Sequence, residues 1–223
     1  MQLEEINSTL DKTLVKHHKI LLVVCSIYII LNHLTVGAEY SANHAFVLFI
    51  QERSFPIIDL FFQIVTDCGL GFFVFFPFAL VVLDPEILRS LRYVAWLTIG
   101  IGIQTILKEY YGYPRPWWVY SDITPKACNT DMGRPSGHSM TSMMSGIFLY
   151  YLYLSKDNYQ GDELLLDSKR SQPPNRNKLY IIILAAVIFI IGFSRIYLAA
   201  HSFDQVLLGF SYAIVYTALI FAY

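Results

Sequence analysis

Five side chains in two polar stretches stand out from an otherwise apolar chain because their types can do chemistry. The first stretch, from Lys108 to His138, contains Arg115 and ends in Pro-Ser-Gly-His, and the second contains Arg195 and His201. Lysine and arginine bind anions, and the planar arginine fork fits phosphate oxygens. Imidazole titrates near neutral pH, so it can act as a nucleophile or as a general acid and base. Together they predict a site that binds and transfers a phosphoryl group.

The segment Pro135-Ser136-Gly137-His138 offers a second way of holding an anion, because an apolar helix is expected to begin there. Free N–H groups at a helix N-terminus bind phosphate, and Gly137 permits close approach of the backbone. The tetrapeptide alone is a weak signal, since Pro-Ser-Gly also forms ordinary turns. Its meaning comes from the cations around it.

The cations also bear on whether a cofactor is needed. No carboxylate or Cys/His pattern predicts a metal site, so we expect no metal and no other cofactor. Lys108, Arg115 and Arg195 would then neutralise the transition state in place of Mg²⁺. A single cation or histidine at a membrane interface is more often structural, but that explanation does not account for five such groups on one face.

Composition predicts a membrane protein. Of the 223 residues, 55% are hydrophobic and 15% are charged, whereas soluble domains carry about 25% charged residues. Several apolar runs reach the roughly 20 residues that cross a bilayer. We therefore predict an all-α polytopic membrane helical bundle with six spans and a short interfacial helix. The interfacial helix is expected at 41–53, and the spans at 19–37, 57–83, 87–109, 137–155, 179–199 and 204–222.

The hydrophobic length fits one domain over residues 1–223, with chemistry-bearing motifs at 108–116, 135–138 and 194–205. A formal net charge of −1 gives no sign of a nucleic-acid partner. The partners we expect are membrane lipids and a phosphate ester. The oligomeric state stays open.

Lysine and arginine are distributed unevenly between the two ends of the predicted bundle. Loops and flanks on the side of the termini hold ten of the 16 Lys and Arg residues. The positive-inside bias therefore places the termini in the cytoplasm. The same topology brings both polar stretches to the opposite, lumenal or exoplasmic face.

The order and spacing of the polar blocks resemble a known signature. Lys108 with Arg115-Pro116, then Pro-Ser-Gly-His, then Ser194-Arg195 with His201 are similar to the three motifs of the type 2 phosphatidic acid phosphatase/haloperoxidase superfamily. Within it the chain looks closest to the glucose-6-phosphatase branch. That finer likeness rests on three segments: Arg115-Pro116-Trp117-Trp118-Val119, 128–133 and 194–201.

The resemblance implies a helical bundle and a metal-independent phosphatase with defined roles. His201 would be the nucleophile, forming a phosphohistidine, and His138 the general acid. The phosphoryl group would be bound by three cations and by two groups at the start of the fourth span: Lys108, Arg115, Arg195, Ser136 and Gly137.

The residue that orients the nucleophile is left open. Most members of the superfamily have Asp four residues after the nucleophilic histidine, where this chain has Gln205, and Asp204 stands one residue earlier. Glucose-6-phosphatases also carry Gln there, so either residue is a candidate to orient His201. They are also longer by three spans, so this chain is either a compact relative or a fragment.

Three functions are compatible with these residues. The first is a phosphatase of a sugar phosphate, with a lumenal site in the endoplasmic reticulum as the resemblance favours. The second is a phosphatase of a lipid phosphate or polyprenyl diphosphate. The third is a membrane subunit without activity. Asp67, in the second span, is a weaker candidate, either to pair with a cation such as Arg195 or to face the site, because ionisable groups inside membrane segments are often functional.

Overall fold

The computed structural model describes residues 19–35, 40–154 and 174–221, and every regular element in these ranges is helical. The prediction of an all-α bundle is therefore confirmed. Residues 1–18 and 155–173, which hold five of the ten Lys and Arg residues on which the predicted orientation depends, lie outside the described residues. The helices are α1 (Lys19–Leu34), α2 (Tyr40–Gln51), α3 (Pro56–Leu83), α4 (Ile87–Tyr111), α5 (Pro116–Val119), α6 (Gly137–Leu149), α7 (Pro174–Tyr197) and α8 (Phe203–Phe221), with a π-helical segment at Tyr150–Leu154.

The predicted count of six spans is wrong for the described residues. Four stretches are long and apolar enough to cross a membrane: Pro56–Leu83, Ile87–Val119, Leu179–Tyr197 and Phe203–Phe221. Of the other two predicted spans, α1 is a shorter apolar helix, and α6 has only 13 residues before it changes to a π-helix. The length of an apolar run in the sequence does not distinguish a helix that faces lipid from a helix that is enclosed by other helices.

Helix α6 is enclosed in this way, because it packs against α3, α4, α7 and α8. Its hydroxyl groups find partners on those helices. The Ser145 hydroxyl donates to the Phe73 carbonyl at 2.9 Å, and the Thr141 hydroxyl donates to the Gln104 side chain at 3.0 Å. Polar groups inside a membrane bundle must be satisfied by protein, so the neighbours of α6 explain why it can be rich in serine.

The outer faces of the longer helices have the opposite character. Val82 and Leu83 on α3 are 84% and 75% exposed, and Ile182 on α7 is 65% exposed. Apolar surface facing outwards and hydrogen-bonded polar groups facing inwards are typical of a helical bundle in lipid. The protein is an integral membrane protein with several apolar helices.

Helix polarity brings the two polar stretches to one end of the bundle. Lys108 lies in the last turn of α4 and Arg195 in the last turn of α7. His138 is the second residue of α6, and His201 lies in the short connection before α8 begins. The ends of α4 and α7 and the beginnings of α6 and α8 therefore surround one site.

Candidate active site

The structure brings the five predicted chemical side chains together at this end. His138 and Arg195 line one cavity, and a Cβ added to Gly137 would lie 3.6 Å from Lys108 Cε. Arg115 NH1 lies 3.1 Å from His201 Nε2. The predicted meeting of the two polar stretches therefore holds in the fold.

His201 is held in one orientation. Its side chain is 1% exposed, and Nδ1 lies 2.8 Å from the Gly133 carbonyl and 3.1 Å from Gln205 Oε1. Both neighbours accept hydrogen bonds, so the ring proton lies on Nδ1. The lone pair then lies on Nε2, where Arg115 NH1 donates to it, and this is the nitrogen that can act as a nucleophile once that hydrogen bond gives way.

Electrostatics keep His201 neutral. Burial lowers the pKa of its imidazole well below the ordinary value, and the charges of Arg115, Arg195 and Lys108 lower it further. Only a neutral imidazole can act as a nucleophile. The connection that carries it has one unusual backbone residue, Ala199, with φ of 54°, a conformation that non-glycine residues adopt mainly at constrained sites.

The structure distinguishes the surroundings of Gln205 and Asp204. Gln205 faces His201 and is itself anchored, because its Nε2 donates to the Pro114 carbonyl at 2.9 Å. Asp204 instead accepts from the Ser202 hydroxyl at 2.5 Å and from Asn43 Nδ2 at 2.8 Å. Of the two candidates, Gln205 is the one whose side chain contacts His201.

Lys108 and Arg115 share a partner that the sequence reasoning missed. Asp131 Oδ2 lies 2.5 Å from Lys108 Nζ, and Asp131 Oδ1 lies 2.5 Å from Arg115 NH2. Burial raises the pKa of the Asp131 carboxyl, but the hydrogen bonds and charges of the two cations outweigh it and lower the pKa. The only signal in the sequence was the position of Asp131 in the polar loop before Pro-Ser-Gly-His.

Arg195 is 2% exposed and is fixed by two side chains. NH1 donates to Thr66 Oγ1 at 3.1 Å and NH2 to Asn129 Oδ1 at 2.9 Å. Its Nε is buried without a hydrogen-bond partner among the described residues.

A cavity of about 450 Å³ adjoins Arg195 and His138. Asp67, on α3, lies in its wall, and its place in the site stays a prediction. Much of the wall is polar, with contributions from α3 and the loop before α6: Gln63, Thr66, Asp67, Lys126 and Asn129.

Ser136 and Gly137 are placed by helix packing. Ser136 is fully buried, its N–H donates to the Gln205 carbonyl at 2.9 Å, and its Oγ accepts from Ser139 Oγ at 3.0 Å. A Cβ at Gly137 would come within 2.7 Å of Gln104 Nε2, so glycine allows α4 to approach closely. These contacts fix both residues at the start of α6, where Gly137 lies beside Lys108.

Arg134 is a second buried group that the sequence reasoning did not assign. Its side chain is 2% exposed, and its guanidinium lies 5.4 Å and 5.0 Å from the ring centres of Tyr111 and Tyr113. NH2 donates to the backbone and side-chain oxygens of Asn32 on α1 and lies 3.8 Å from Asp204. Arg134 therefore connects α1 to the segment that carries His201.

Comparison with known families agrees with this geometry. The family described as the PAP2 superfamily matches residues 89–223, which include all five chemical side chains. The chain belongs to the PAP2 superfamily. The superfamily predicted from the three motifs is thereby confirmed, with the match beginning in α4 and continuing through α8.

The relatives found among curated proteins are dolichyldiphosphatases. Dolichyldiphosphatase 1 of Plecturocebus moloch and of Homo sapiens are each 28% identical over 160 residues, covering 70% of this chain and 61% of the relative. The protein of Mus musculus is 26% identical over the same coverage. The chain thus spans about 61% of the length of these relatives. These relatives are not glucose-6-phosphatases, so they do not support the predicted resemblance to the glucose-6-phosphatase branch.

Two solved structures share the fold. The transmembrane PAP2-type phosphatidylglycerolphosphate phosphatase of Bacillus subtilis superposes with a TM-score of 0.68 at 20% identity, over 92% of this chain and 94% of that one. LpxE of Aquifex aeolicus gives 0.56 at 20% identity, over 79% and 93%. These likenesses establish the PAP2-type helical bundle.

Proposed function

We propose that this chain is a membrane phosphatase that acts through a phosphohistidine on His201 and needs no metal ion. The observation that carries the proposal is the state of His201. Its Nδ1 proton is held by Gly133 and Gln205, and its Nε2 faces Arg115. A nucleophilic nitrogen that is oriented, neutral and next to fixed cations is what phosphoryl transfer through histidine needs.

The reaction has two steps. In the first, His201 Nε2 forms a bond to phosphorus while the bond from phosphorus to the ester oxygen breaks. His138 enters this step as the imidazolium and gives its proton to that oxygen. In the second, His138 takes a proton from water, the water oxygen attacks phosphorus, and the bond to Nε2 breaks to release phosphate. Lys108, Arg115 and Arg195 neutralise the charge that develops on the phosphoryl oxygens.

We propose a lipid phosphate or polyprenyl diphosphate as the substrate. The names of the curated relatives support this class, and so does the depth of the site. Helix α3 begins at Pro56, ten residues before the Thr66 contact with Arg195, which is about 15 Å of helix.

The outer side of this part of α3 is apolar and more than half exposed: Ile57 78%, Leu60 56%, Phe61 53% and Ile64 53%. Surface of this kind faces lipid, so the phosphoryl site lies deeper than the lipid-facing end of α3. A substrate held in the bilayer can reach such a depth.

A sugar phosphate is the second candidate, and one observation favours it. The cavity beside His138 is lined by hydrogen-bonding side chains, including Gln63, Asp67 and Asn129, which suit hydroxyl groups of a leaving group. The short sequence likeness to glucose-6-phosphatases around Arg115 and His201 points the same way.

The deciding experiment is phosphate release by the purified protein in EDTA, with wild type beside His201→Ala. The substrates are dolichyl diphosphate, phosphatidate and phosphatidylglycerolphosphate in mixed micelles, and glucose 6-phosphate in solution. His33→Ala is the matched control, because His33 is exposed on α1 and contacts Tyr110 and Tyr111 outside the site.

We expect release that requires His201, resists EDTA and is fastest on a lipid ester. Faster release from glucose 6-phosphate selects the second candidate. Inhibition by EDTA that one metal reverses contradicts the metal-free mechanism. If no ester gives phosphate release or a phosphoenzyme, the remaining candidate is an inactive membrane subunit.

We also propose that the site opens to the lumenal or exoplasmic side, with the termini in the cytoplasm. The distribution of Lys and Arg between the two ends of the bundle supports this orientation. The endoplasmic reticulum is the membrane that the likeness to glucose-6-phosphatases favours. Labelling from one side of a sealed membrane tests the orientation.

A further inference from the structure

Two of the three site cations have their donors already occupied by one short segment of the protein. Lys108 Nζ donates to Asp131 Oδ2 at 2.5 Å and to the Met132 carbonyl at 2.7 Å. Arg115 donates through NH2 to Asp131 Oδ1 at 2.5 Å and through Nε to the Asp131 carbonyl at 2.8 Å. The Asp131 carboxylate therefore bridges both cations.

NH1 of Arg115 is also engaged. NH1 donates to the Ala200 carbonyl at 2.7 Å and lies 3.1 Å from His201 Nε2. The NH1 that contacts Nε2 and the NH2 that donates to Asp131 belong to the same guanidinium. A phosphoryl group attacked by Nε2 must therefore place its oxygens next to the Asp131 carboxylate. Phosphate oxygens and the Asp131 carboxylate oxygens then need the same donors.

We propose that Asp131 is a built-in competitor of the phosphoryl group: its carboxylate occupies the anion site in the resting protein and leaves when substrate binds. The inference rests on the proposed function, because it concerns the same site. It makes Asp131 a determinant of how strongly, and how selectively, the protein binds phosphate esters.

The geometry allows the carboxylate to leave without disturbing the cations. The Asp131 side chain is 53% exposed, whereas Lys108 and Arg115 are 7% and 1% exposed. Rotation of one half-exposed side chain releases both cation donors. The carbonyls of Asp131 and Met132 stay in place and keep Arg115 and Lys108 oriented.

Charge decides which ligands displace the carboxylate. A carboxylate carries one negative charge, and a terminal phosphate carries close to two at neutral pH. A monoanionic diester brings no more charge than the group it must displace, so Asp131 favours terminal phosphates over diesters.

The test is binding of tungstate, a tetrahedral dianion, measured by calorimetry on the purified full chain. Wild type is compared with Asp131→Asn and Asp131→Ala, so that a folding defect in one variant does not decide the result. Asp122→Asn is the matched control. Asp122 is also 53% exposed, and its carboxylate pairs with His44 instead of the site cations.

We expect both Asp131 variants to bind tungstate about tenfold more tightly than wild type, because a competitor present most of the time lowers apparent affinity by the fraction of open sites. Asp122→Asn should bind as wild type does. In turnover, the Asp131 variants should show a lower KM without a matching fall in kcat, and a smaller preference for a terminal phosphate over a diester.

Equal or weaker tungstate binding by the Asp131 variants overturns the inference, since the carboxylate would then position the cations for phosphate. Tighter binding by the variants, together with no phosphate release from any ester, keeps the inference and removes the proposed function. Normal turnover with unchanged tungstate binding overturns the inference and keeps the proposed function. No tungstate binding by any variant overturns the inference as well.

Discussion

At the scale of single residues, the chemistry of the site depends on where one proton lies. Nδ1 of His201 faces two acceptors, the Gly133 carbonyl and Gln205 Oε1. A carboxylate at position 205 would hold the same proton and add a negative charge, whereas the amide adds none. Gln205 therefore fixes the tautomer, while burial and the surrounding cations keep the pKa of His201 low.

The first prediction concerns pH. Because the pKa of His201 is lowered, the imidazole stays neutral as pH falls below the ordinary value of about 6.5, and activity is lost only below that. Gln205→Glu places a negative charge beside Nδ1, stabilises the imidazolium and raises the pKa. The acid limb of kcat/KM against pH should therefore move to higher pH in this variant.

Both proteins are measured on the same ester, so ionisation of the substrate cancels in the comparison. Asp204→Asn is the control and should leave the acid limb in place, because the Asp204 carboxylate contacts Ser202 and Asn43 and not His201. An unmoved limb in Gln205→Glu contradicts the assignment of the proton.

The second prediction concerns His138. If it protonates the leaving oxygen, His138→Ala should slow hydrolysis of alkyl phosphates by roughly 10²–10⁴-fold. Aryl phosphates with good leaving groups need little protonation and should be slowed much less. The measurement is single-turnover formation of the phosphoenzyme across a leaving-group series. Equal losses across the series argue against the acid role.

Sequence reasoning identified the residues whose chemistry is visible in their type. Lys108, Arg115, Arg195 and the two histidines could be selected because cations and imidazoles are rare in apolar helices. Asp131 could not be selected in this way, since a carboxylate in a polar loop is ordinary until the fold brings it to 2.5 Å from two cations.

At the scale of helices, the site depends on how closely α8 approaches the beginning of α6. A Cβ added to Gly209 on α8 would lie 2.6 Å from the Ser136 carbonyl and 3.2 Å from the Met140 nitrogen. Both are backbone atoms and cannot rotate away. The position of Pro-Ser-Gly-His beside His201 therefore depends on the missing side chain at Gly209.

The third prediction follows from this contact. Gly209→Ala should lower Tm and phosphatase activity together, with a loss of about 1–3 kcal/mol in stability, as overpacking typically causes. Gly102→Ala on α4 is the matched control, because a Cβ there meets nothing within 4 Å. Thermal unfolding in detergent and turnover are measured side by side. An unchanged Tm in Gly209→Ala means that α6 and α8 can separate freely.

The helices themselves could be predicted better than their role. Apolar length located α3, α4, α7 and α8 within a few residues. It did not reveal that α6 is enclosed, since burial by four neighbours is a property of packing and not of composition. For the same reason, the link from Arg134 to Asn32 on α1 could not be read from residues so far apart in the chain.

At the scale of the whole molecule, the fourth prediction tests orientation. Cys128 is exposed in the loop at the site end, and Cys25 is buried. A membrane-impermeant maleimide should label Cys128 only from the lumenal or exoplasmic side of sealed vesicles. Cys128→Ser removes this labelling and leaves any reaction of the exposed Cys68 on α3 as the background. Labelling of Cys128 from the cytoplasmic side reverses the proposed topology.

The hydroxyl-rich surface of α6 also has a consequence for how the protein is made. Helix α6 is 13 residues long, and eight of these residues are buried against other parts of the protein. Lipid alone would therefore leave most of its polar groups without partners. During synthesis, α7 and α8 emerge from the ribosome after α6, and until they arrive one side of α6 has no partner. We therefore expect α6 to settle in the bilayer only after α7 and α8 have been inserted, so that the site end of the bundle is assembled late.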